Sequence, residues 1–217
     1  MSADQKVLYL HGFASGPTST KANFFVERLN GMGIETAVPD LNKPTFAEMT
    51  LTSQLQIARD CLEKFGQDSK SIVIGSSMGG LLATLLAQVI PLQGIVLLAP
   101  GFGLPRRWSE MLGDDGLDQW KQAGKREVFH YATNTNEFLN YGFITDAEKY
   151  STDGLRVSTP ALVFHGTNDE TVPVSESQEF HKLNPTNVQL EVLDDDHMLY
   201  ASMEKMWSMT RSFLSAL

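Results

Sequence analysis

The chain has 217 residues, of which 42% are hydrophobic and 20% are charged, and its formal net charge is −9. This length and balance predict a single globular domain over residues 1–217, with a sizeable core, and argue against a disordered tail. An acidic protein has no electrostatic attraction for nucleic acid and would be repelled by anionic membranes. We therefore expect neither as a partner.

The single cysteine, Cys61, cannot form an internal disulfide, so nothing requires an oxidising compartment. The apolar run at residues 7–10 is too short for a signal peptide and instead predicts a strand. No window approaches the roughly 18 consecutive apolar residues of a spanning helix. The sequence thus predicts a cytoplasmic protein and leaves its oligomeric state open between monomer and dimer.

Strand-like and helix-like segments alternate along the chain. Strands are predicted at residues 6–10, 35–41, 71–75, 94–99, 161–164 and 188–193, and helices at residues 19–30, 48–65, 78–90 and 199–217. Strands that are apolar on both faces and separated by helices are typical of a parallel sheet covered on both sides. The predicted fold class is α/β, with a mostly parallel sheet of about six strands flanked by helices.

Residues 101–155 interrupt this alternation and hold 9 of the chain's 20 aromatic residues. Long insertions in compact domains are usually lids or binding loops, so this segment is predicted to be a lid or cap. The candidates for substrate binding are Trp108, Phe138, Tyr141 and Phe143. The alternative is that the aromatic rings form a small satellite core that holds the insertion in place.

The segment Gly75-Ser76-Ser77-Met78-Gly79 has the pattern G-x-S-x-G between a predicted strand and a predicted helix. A nucleophile elbow turns sharply from strand to helix with its serine in a strained conformation, and flanking glycines remove side chains that would clash. The pattern predicts Ser77 as the nucleophile. The Met78 backbone N–H, at the helix start, is predicted to stabilise an oxyanion.

A serine nucleophile needs a base to accept its proton and an acid to orient that base. Asp169 follows the strand at residues 161–164, and His197 follows the strand at residues 188–193. The order serine, acid, histidine is that of an α/β-hydrolase, and both residues come at carboxyl ends of strands. The sequence therefore predicts a triad of Ser77, Asp169 and His197.

Other acids and histidines compete for these roles. Asp194 is an alternative orienting acid. The run Asp194-Asp195-Asp196 could suggest a metal site, but three adjacent side chains do not point at one centre, so no metal is expected. His11 is expected to shape the oxyanion loop, with the Phe13 backbone N–H as its second donor. His130 and His181 are expected to be structural or exposed, and His165, which leads the loop that carries the acid, is expected to be a packing residue rather than a base.

The chain resembles a known family. Leu8-Tyr9-Leu10-His11-Gly12-Phe13, followed by Ser15, Pro17, Ser19 and Lys21-Ala22, resembles the opening of the small YqiA-type esterases of the α/β-hydrolase superfamily. Ile74-Gly75-Ser76-Ser77-Met78-Gly79-Gly80 resembles the same group. The resemblance implies an α/β-hydrolase fold and a carboxylesterase or thioesterase of short acyl esters or acyl-coenzyme A, without a cofactor. The three aspartates before His197 depart from the small residues of many relatives.

The sequence thus predicts a serine hydrolase that cleaves a small-molecule carboxylic ester or thioester through an acyl-enzyme intermediate. Because a fold alone does not determine the bond that is cleaved, an amidase or a C–C bond hydrolase on the same triad remains an alternative. A ligand-binding protein that kept the fold without catalysis is the alternative from another class.

Overall fold

The computed structural model describes residues 5–66 and 70–217. Its strands are β1 (Gln5–Leu10), β2 (Glu35–Ala37), β3 (Lys70–Ser76), β4 (Gly94–Leu98), β5 (Lys125–His130), β6 (Thr135–Asn140), β7 (Ala161–Gly166) and β8 (Val188–Leu193). Six of them form one sheet in the order β2-β1-β3-β4-β7-β8, and every neighbouring pair is parallel. The predicted six-stranded parallel sheet is confirmed.

Helices cover both faces of this sheet. They are α1 (Thr20–Gly31), α2 (Leu51–Phe65), α3 (Met78–Ala87), α4 (Leu104–Ala123), α5 (Gly142–Ala147), α6 (Val174–Leu183) and α7 (Met203–Ala216). Successive strand residues point to opposite faces. In β1, Val7 and Tyr9 pack in the core beneath α1 and α7, whereas Leu8 and Leu10 pack in the core beneath α2, α3 and α6.

Local chemistry explains where several helices begin. The side chain of Ser19 caps α1 by accepting a hydrogen bond from the Ala22 N–H. Thr50 and Ser53 form a capping box, so α2 begins at Leu51 rather than at the predicted residue 48. Leu199 has a φ of +55°, which no helix residue adopts, so α7 begins at Met203 rather than at residue 199.

Two predicted elements are shorter in the structure. The second strand ends at Ala37 instead of residue 41, because the chain turns away and the Leu41 N–H donates to His11 rather than to a strand. The helix after the elbow ends at Ala87 instead of residue 90. There the N–H groups of Val89 and Ile90 both bond the Leu86 carbonyl, just before Pro91.

The segment between β4 and β7 contains elements that the sequence patterns did not predict: α4, broken at Gly113, the antiparallel hairpin β5–β6, and α5. It is bonded to the loop after β1, where the Tyr131 N–H donates to the Ala14 carbonyl at 2.8 Å. The buried Asp146 accepts from the backbone and the hydroxyl of Thr52 at the start of α2. These bonds hold the inserted segment over the edge of the sheet where β1 ends.

No helix within residues 5–66 and 70–217 combines the length and the apolar character needed to cross a membrane.

Candidate active site

Ser77 lies at the turn between β3 and α3, with a φ of +52° and a ψ of −117°. This strained conformation is stabilised by close packing. A Cβ on Gly75 would overlap the backbone of Gly79, and one on Gly79 would overlap the Leu10 carbonyl, so neither position accepts a side chain. The Ser77 N–H also donates to the Leu98 carbonyl at 2.9 Å, which ties the turn to β4.

The structure brings Ser77, Asp169 and His197 together from three loops at one edge of the sheet. Nε2 of His197 lies 3.1 Å from Oγ of Ser77, and Nδ1 of His197 lies 2.7 Å from Oδ2 of Asp169. Because a carboxylate only accepts, Nδ1 carries the hydrogen, and Nε2 of the neutral ring can accept a proton from the serine. The arrangement is that of a nucleophile, a general base and an orienting acid.

The Asp169 side chain is fully buried. Its Oδ1 accepts the backbone N–H groups of Thr171 and Val172, and its Oδ2 faces both His197 and His165. Burial alone would raise the pKa of this carboxyl, but the hydrogen bonds from His165, His197 and Val172 outweigh it and hold the pKa well below its usual range. Asp169 is therefore a carboxylate at neutral pH.

Two backbone N–H groups are candidates for an oxyanion hole. Met78 is the first residue of α3, so its N–H has no acceptor within the helix. The other candidate, the Phe13 N–H, belongs to a loop that approaches the serine, since a Cβ on Gly12 would lie 3.3 Å from Cβ of Ser77. No hydrogen bond within residues 5–66 and 70–217 uses the Phe13 N–H.

His11 fixes the orientation of this loop. The Leu41 N–H donates to Nε2 of His11 at 3.1 Å, so Nδ1 carries the ring hydrogen and donates to the Gly12 carbonyl at 3.0 Å. That carbonyl and the Phe13 N–H belong to one planar peptide unit. Burial lowers the pKa of His11, which keeps the ring in the neutral form that these two bonds require.

The three aspartates before His197 do not hydrogen-bond its ring, and each accepts from other groups. Asp194 accepts from the Asn168 side chain, Asp195 from the backbone of Asp196 and Ser202, and Asp196 from the Met198 backbone. Within the described part of the chain, no group of three or more histidine, cysteine, aspartate or glutamate side chains could hold a metal ion. Asp195 and Asp196 shape the turn into α7, Asp194 contacts the loop after β7, and the three acids do not converge on one centre.

Lys21, in α1, is a buried lysine, and α1 covers the same face of the sheet as α7. Burial lowers its pKa to about 8, and the negative charges of Asp169, Asp196 and Asp195 act against this shift. Sequence reasoning noted Lys21 only as part of a motif. Its burial was not predictable, because a lysine near the start of a helix is ordinarily exposed.

The aromatic candidates for substrate binding are placed unequally. The ring of Phe13 lies 5.4 Å from that of Trp108 and 5.7 Å from that of Phe143, so these two pack directly behind the predicted oxyanion loop. Tyr141 is further from Phe13: it packs against Trp120, which in turn packs against Trp108. Phe138 lies on the outer part of the hairpin, 45% exposed, with Nζ of Lys125 over its ring.

Sequence reasoning missed Phe46, and it did not predict what two of the histidines contact. Phe46, in the loop before α2, packs on Phe13 with ring centroids 5.7 Å apart, and His130 packs on Phe46 in turn. His165 is fully buried, as expected of a packing residue, but its contact with Asp169 was not predicted. Its position four residues before the acid was the available signal, but spacing within a loop does not determine where side chains point. His181 bonds the Val188 carbonyl, as a structural residue would.

The fold is that of an α/β-hydrolase. A parallel sheet carries a serine with positive φ at the turn between β3 and α3, and the acid and the histidine lie in the loops after β7 and β8. The chain belongs to the uncharacterised protein family UPF0227, whose model matches residues 6–214. Membership of the α/β-hydrolase superfamily, which the sequence resemblance indicated, is thereby confirmed.

Solved structures share this fold at low sequence identity. A putative hydrolase from Agrobacterium vitis S4 has a TM-score of 0.85 and 22% identity, over 97% of this chain and 88% of that one. Est1E from Butyrivibrio proteoclasticus, solved with ferulic acid bound, has a TM-score of 0.83 and 21% identity, over 98% and 88%. The Pyrococcus furiosus esterase Pf2001 has a TM-score of 0.68 and 22% identity, over 98% and 83%.

Proposed function

We propose that the protein is a serine hydrolase that cleaves a carboxylic ester or thioester. In the first step, Oγ of Ser77 attacks the acyl carbon while its proton passes to Nε2 of His197. The backbone N–H groups of Phe13 and Met78 stabilise the oxyanion of the tetrahedral intermediate. His197 then protonates the departing alcohol or thiol, and the acyl group remains bonded to Ser77.

The second step reverses the roles of proton donor and acceptor. A water molecule gives its proton to Nε2 of His197 and attacks the acyl carbon through a second tetrahedral intermediate. The imidazolium returns the proton to Oγ of Ser77, and the carboxylic acid departs. In both steps Asp169 holds the imidazole in the tautomer that can accept a proton, and the cycle needs neither a metal nor a cofactor.

The observation that carries this proposal is the hydrogen-bonded series Ser77–His197–Asp169, with contacts of 3.1 and 2.7 Å. It starts from a serine whose φ of +52° is energetically unfavourable for any residue but glycine. Strain of this kind persists where the surrounding structure enforces it, and it is concentrated at functional sites. A protein that only binds a ligand needs neither the strained serine nor the buried acid behind the histidine.

The proposed substrate class is supported by the surroundings of Ser77 and by the names of similar structures. Phe13, which is partly exposed and is backed by the buried rings of Trp108 and Phe143, gives the oxyanion loop an apolar side, which suits a short acyl or aryl group. Tyr141 and Phe138 of the inserted segment would contribute as that segment covers the site. One similar structure is named an esterase and another was solved with ferulic acid, which supports an ester over an amide.

The first test is covalent labelling with a fluorophosphonate probe, combined with turnover of a p-nitrophenyl ester. We expect Ser77→Ala to abolish labelling and to lower kcat by at least about 10⁴-fold, since it removes the nucleophile and keeps the oxyanion donors. Ser76→Ala is the matched control and should still be labelled. A Ser77→Ala variant that keeps a tenth of the wild-type rate would remove Ser77 from this role.

The second test is a substrate series at fixed acyl chain length, comparing p-nitrophenyl esters, acyl thioesters and anilides. We expect esters and thioesters to be cleaved, with an optimum at short chains, and anilides to be cleaved far more slowly. Faster cleavage of anilides would make the protein an amidase. A wild-type protein that takes the label but cleaves none of the three would direct attention to C–C bond hydrolysis, and one that is not labelled would be a binding protein.

A further inference from the structure

His165 is a buried histidine to which the mechanism above gives no role. It lies in β7 and is fully buried, four residues before Asp169. Its Nε2 is 2.9 Å from the Val172 carbonyl and 3.2 Å from Oδ2 of Asp169. Its Nδ1 is 2.7 Å from Oγ of Ser177 in α6. The ring therefore contacts the acid loop on one side and a helix on the other.

The partners of His165 determine which nitrogen carries the hydrogen. A backbone carbonyl only accepts, so Nε2 is the donor towards Val172. In the neutral ring Nδ1 then accepts the hydroxyl hydrogen of Ser177. Ser177 of α6 thus donates to the imidazole, and the imidazole donates to the acid loop. The positive end of the Nε2–H dipole also faces Oδ2 of Asp169.

The same contacts hold both the N–H and the carbonyl of Val172, a residue of the acid loop. The Val172 N–H donates to Oδ1 of Asp169 at 2.7 Å, and its carbonyl is held by His165. Oδ2 of Asp169 faces two imidazole N–H groups, His197 at 2.7 Å and His165 at 3.2 Å. A fully buried carboxylate requires such donors, because an unpaired charge away from water is strongly unfavourable.

We propose that His165 is a positioning residue, which acts through Asp169 by directing Oδ2 of that carboxylate at His197. A connected series of polar contacts would then run from Ser177 through His165, Asp169 and His197 to Ser77, and its link between His165 and Asp169 is the 3.2 Å electrostatic contact of Nε2 with Oδ2. This inference rests on the proposed function, because a positioned acid matters only where His197 acts as a base. A side chain that merely fills space could be replaced by any other of similar size, whereas positioning requires an N–H at Nε2.

The test compares His165→Gln with His165→Met, which are matched in length and differ in that only the glutamine has an N–H donor at its end. We expect His165→Met to lower kcat for a p-nitrophenyl ester by about 10- to 100-fold, the effect of losing a hydrogen bond to a charged group, with KM unchanged. His165→Gln should recover kcat to within roughly fivefold of the wild type. Thermal unfolding of both variants identifies any loss of kcat that comes from incomplete folding at the assay temperature.

Two results would overturn the inference: wild-type kcat in both variants, or equal losses in both at equal unfolding midpoints. Neither would affect the proposed function, which is tested separately by labelling of the wild type, by Ser77→Ala and by the substrate series.

If His165→Met does not fold, Ser177→Ala tests the same idea from the other side of the ring. It keeps the imidazole and removes the hydroxyl that donates to Nδ1. We expect kcat to fall by about three- to tenfold with KM unchanged, as for a neutral hydrogen bond. The exposed Ser175→Ala, on the same helix, is the control and should keep the wild-type rate. A Ser177→Ala variant equal to this control would overturn the inference.

Discussion

Two neighbouring loops bring acidic residues to the same edge of the sheet, and the structure treats them differently. The loop after β7 contains Asp169, which is buried and surrounded by two backbone N–H groups and two imidazoles. The loop after β8 contains Asp194, Asp195 and Asp196, of which the first and last are exposed. Asp195 and Asp196 accept hydrogen bonds from nearby backbone N–H groups, and Asp194 accepts one from the Asn168 side chain in the loop after β7.

The difference teaches that the number of carboxylates near a base says little about which one orients it. A single acid with convergent donors is held in one geometry, whereas three adjacent acids without them turn towards solvent and the nearby backbone. The register of β7 against β8, which pairs His165 with Val192, places the acid loop beside the histidine loop. The following predictions test this contrast in order of expected effect.

The largest expected effect is on turnover. Asp169→Asn should lower kcat by about 10⁴-fold, because an amide next to His197 favours the ring tautomer that cannot accept the serine proton. The matched variant Asp194→Asn should stay within roughly threefold of the wild type, as is usual for exposed positions. Steady-state kinetics on a p-nitrophenyl ester measure both. A reversed ranking would move the acid role to the loop after β8.

A smaller effect is expected on stability in acid. The pKa of Asp169 is depressed in the folded protein, so its stabilising contribution is present above the unfolded-state pKa, near 4, and is lost as the pH falls towards the folded-state pKa. Below about pH 4, this one group should reduce the free energy of unfolding by up to about 1.4 kcal/mol per pH unit.

Urea unfolding between pH 5 and pH 3 measures this slope. Asp169→Asn should be less stable at neutral pH but should lose less stability on acidification than the wild type. The exposed Asp194→Asn is the control and should keep the wild-type slope. Identical slopes in all three proteins would show that Asp169 gains nothing from its donors on folding.

The sequence was most informative where structure is local. The glycines at positions 75 and 79 predicted the elbow because their reason is steric and lies within a few residues of Ser77. The strand β3 was predicted to within one residue at each end, since a buried parallel strand requires an apolar run. The edge strand β8 was predicted to the residue, because its apolar residues alternate with Gln189 and Glu191.

It was least informative between β4 and β7, where the hairpin β5–β6 alternates polar and apolar residues only weakly and has exposed rings such as Phe129 and Tyr131. Such a hairpin exists because it packs on the loop after β1 and on α4. Neither contact can be predicted from the residues of the hairpin itself. The aromatic content of the segment therefore predicted an insertion without predicting the shape of that insertion.

The sequence by itself determined the sheet, the elbow and the order of serine, acid and histidine, because each depends on short-range periodicity or on the sterics of a single turn. Only the tertiary structure decided which acid faces the histidine and that His165 faces the same carboxylate. It also decided that Phe13 packs against Trp108 and Phe143, whereas Phe138 lies elsewhere. These pairs are far apart in the chain or lie in irregular loops. Their contacts follow from strand register and loop direction, which are set by the packing of the whole molecule.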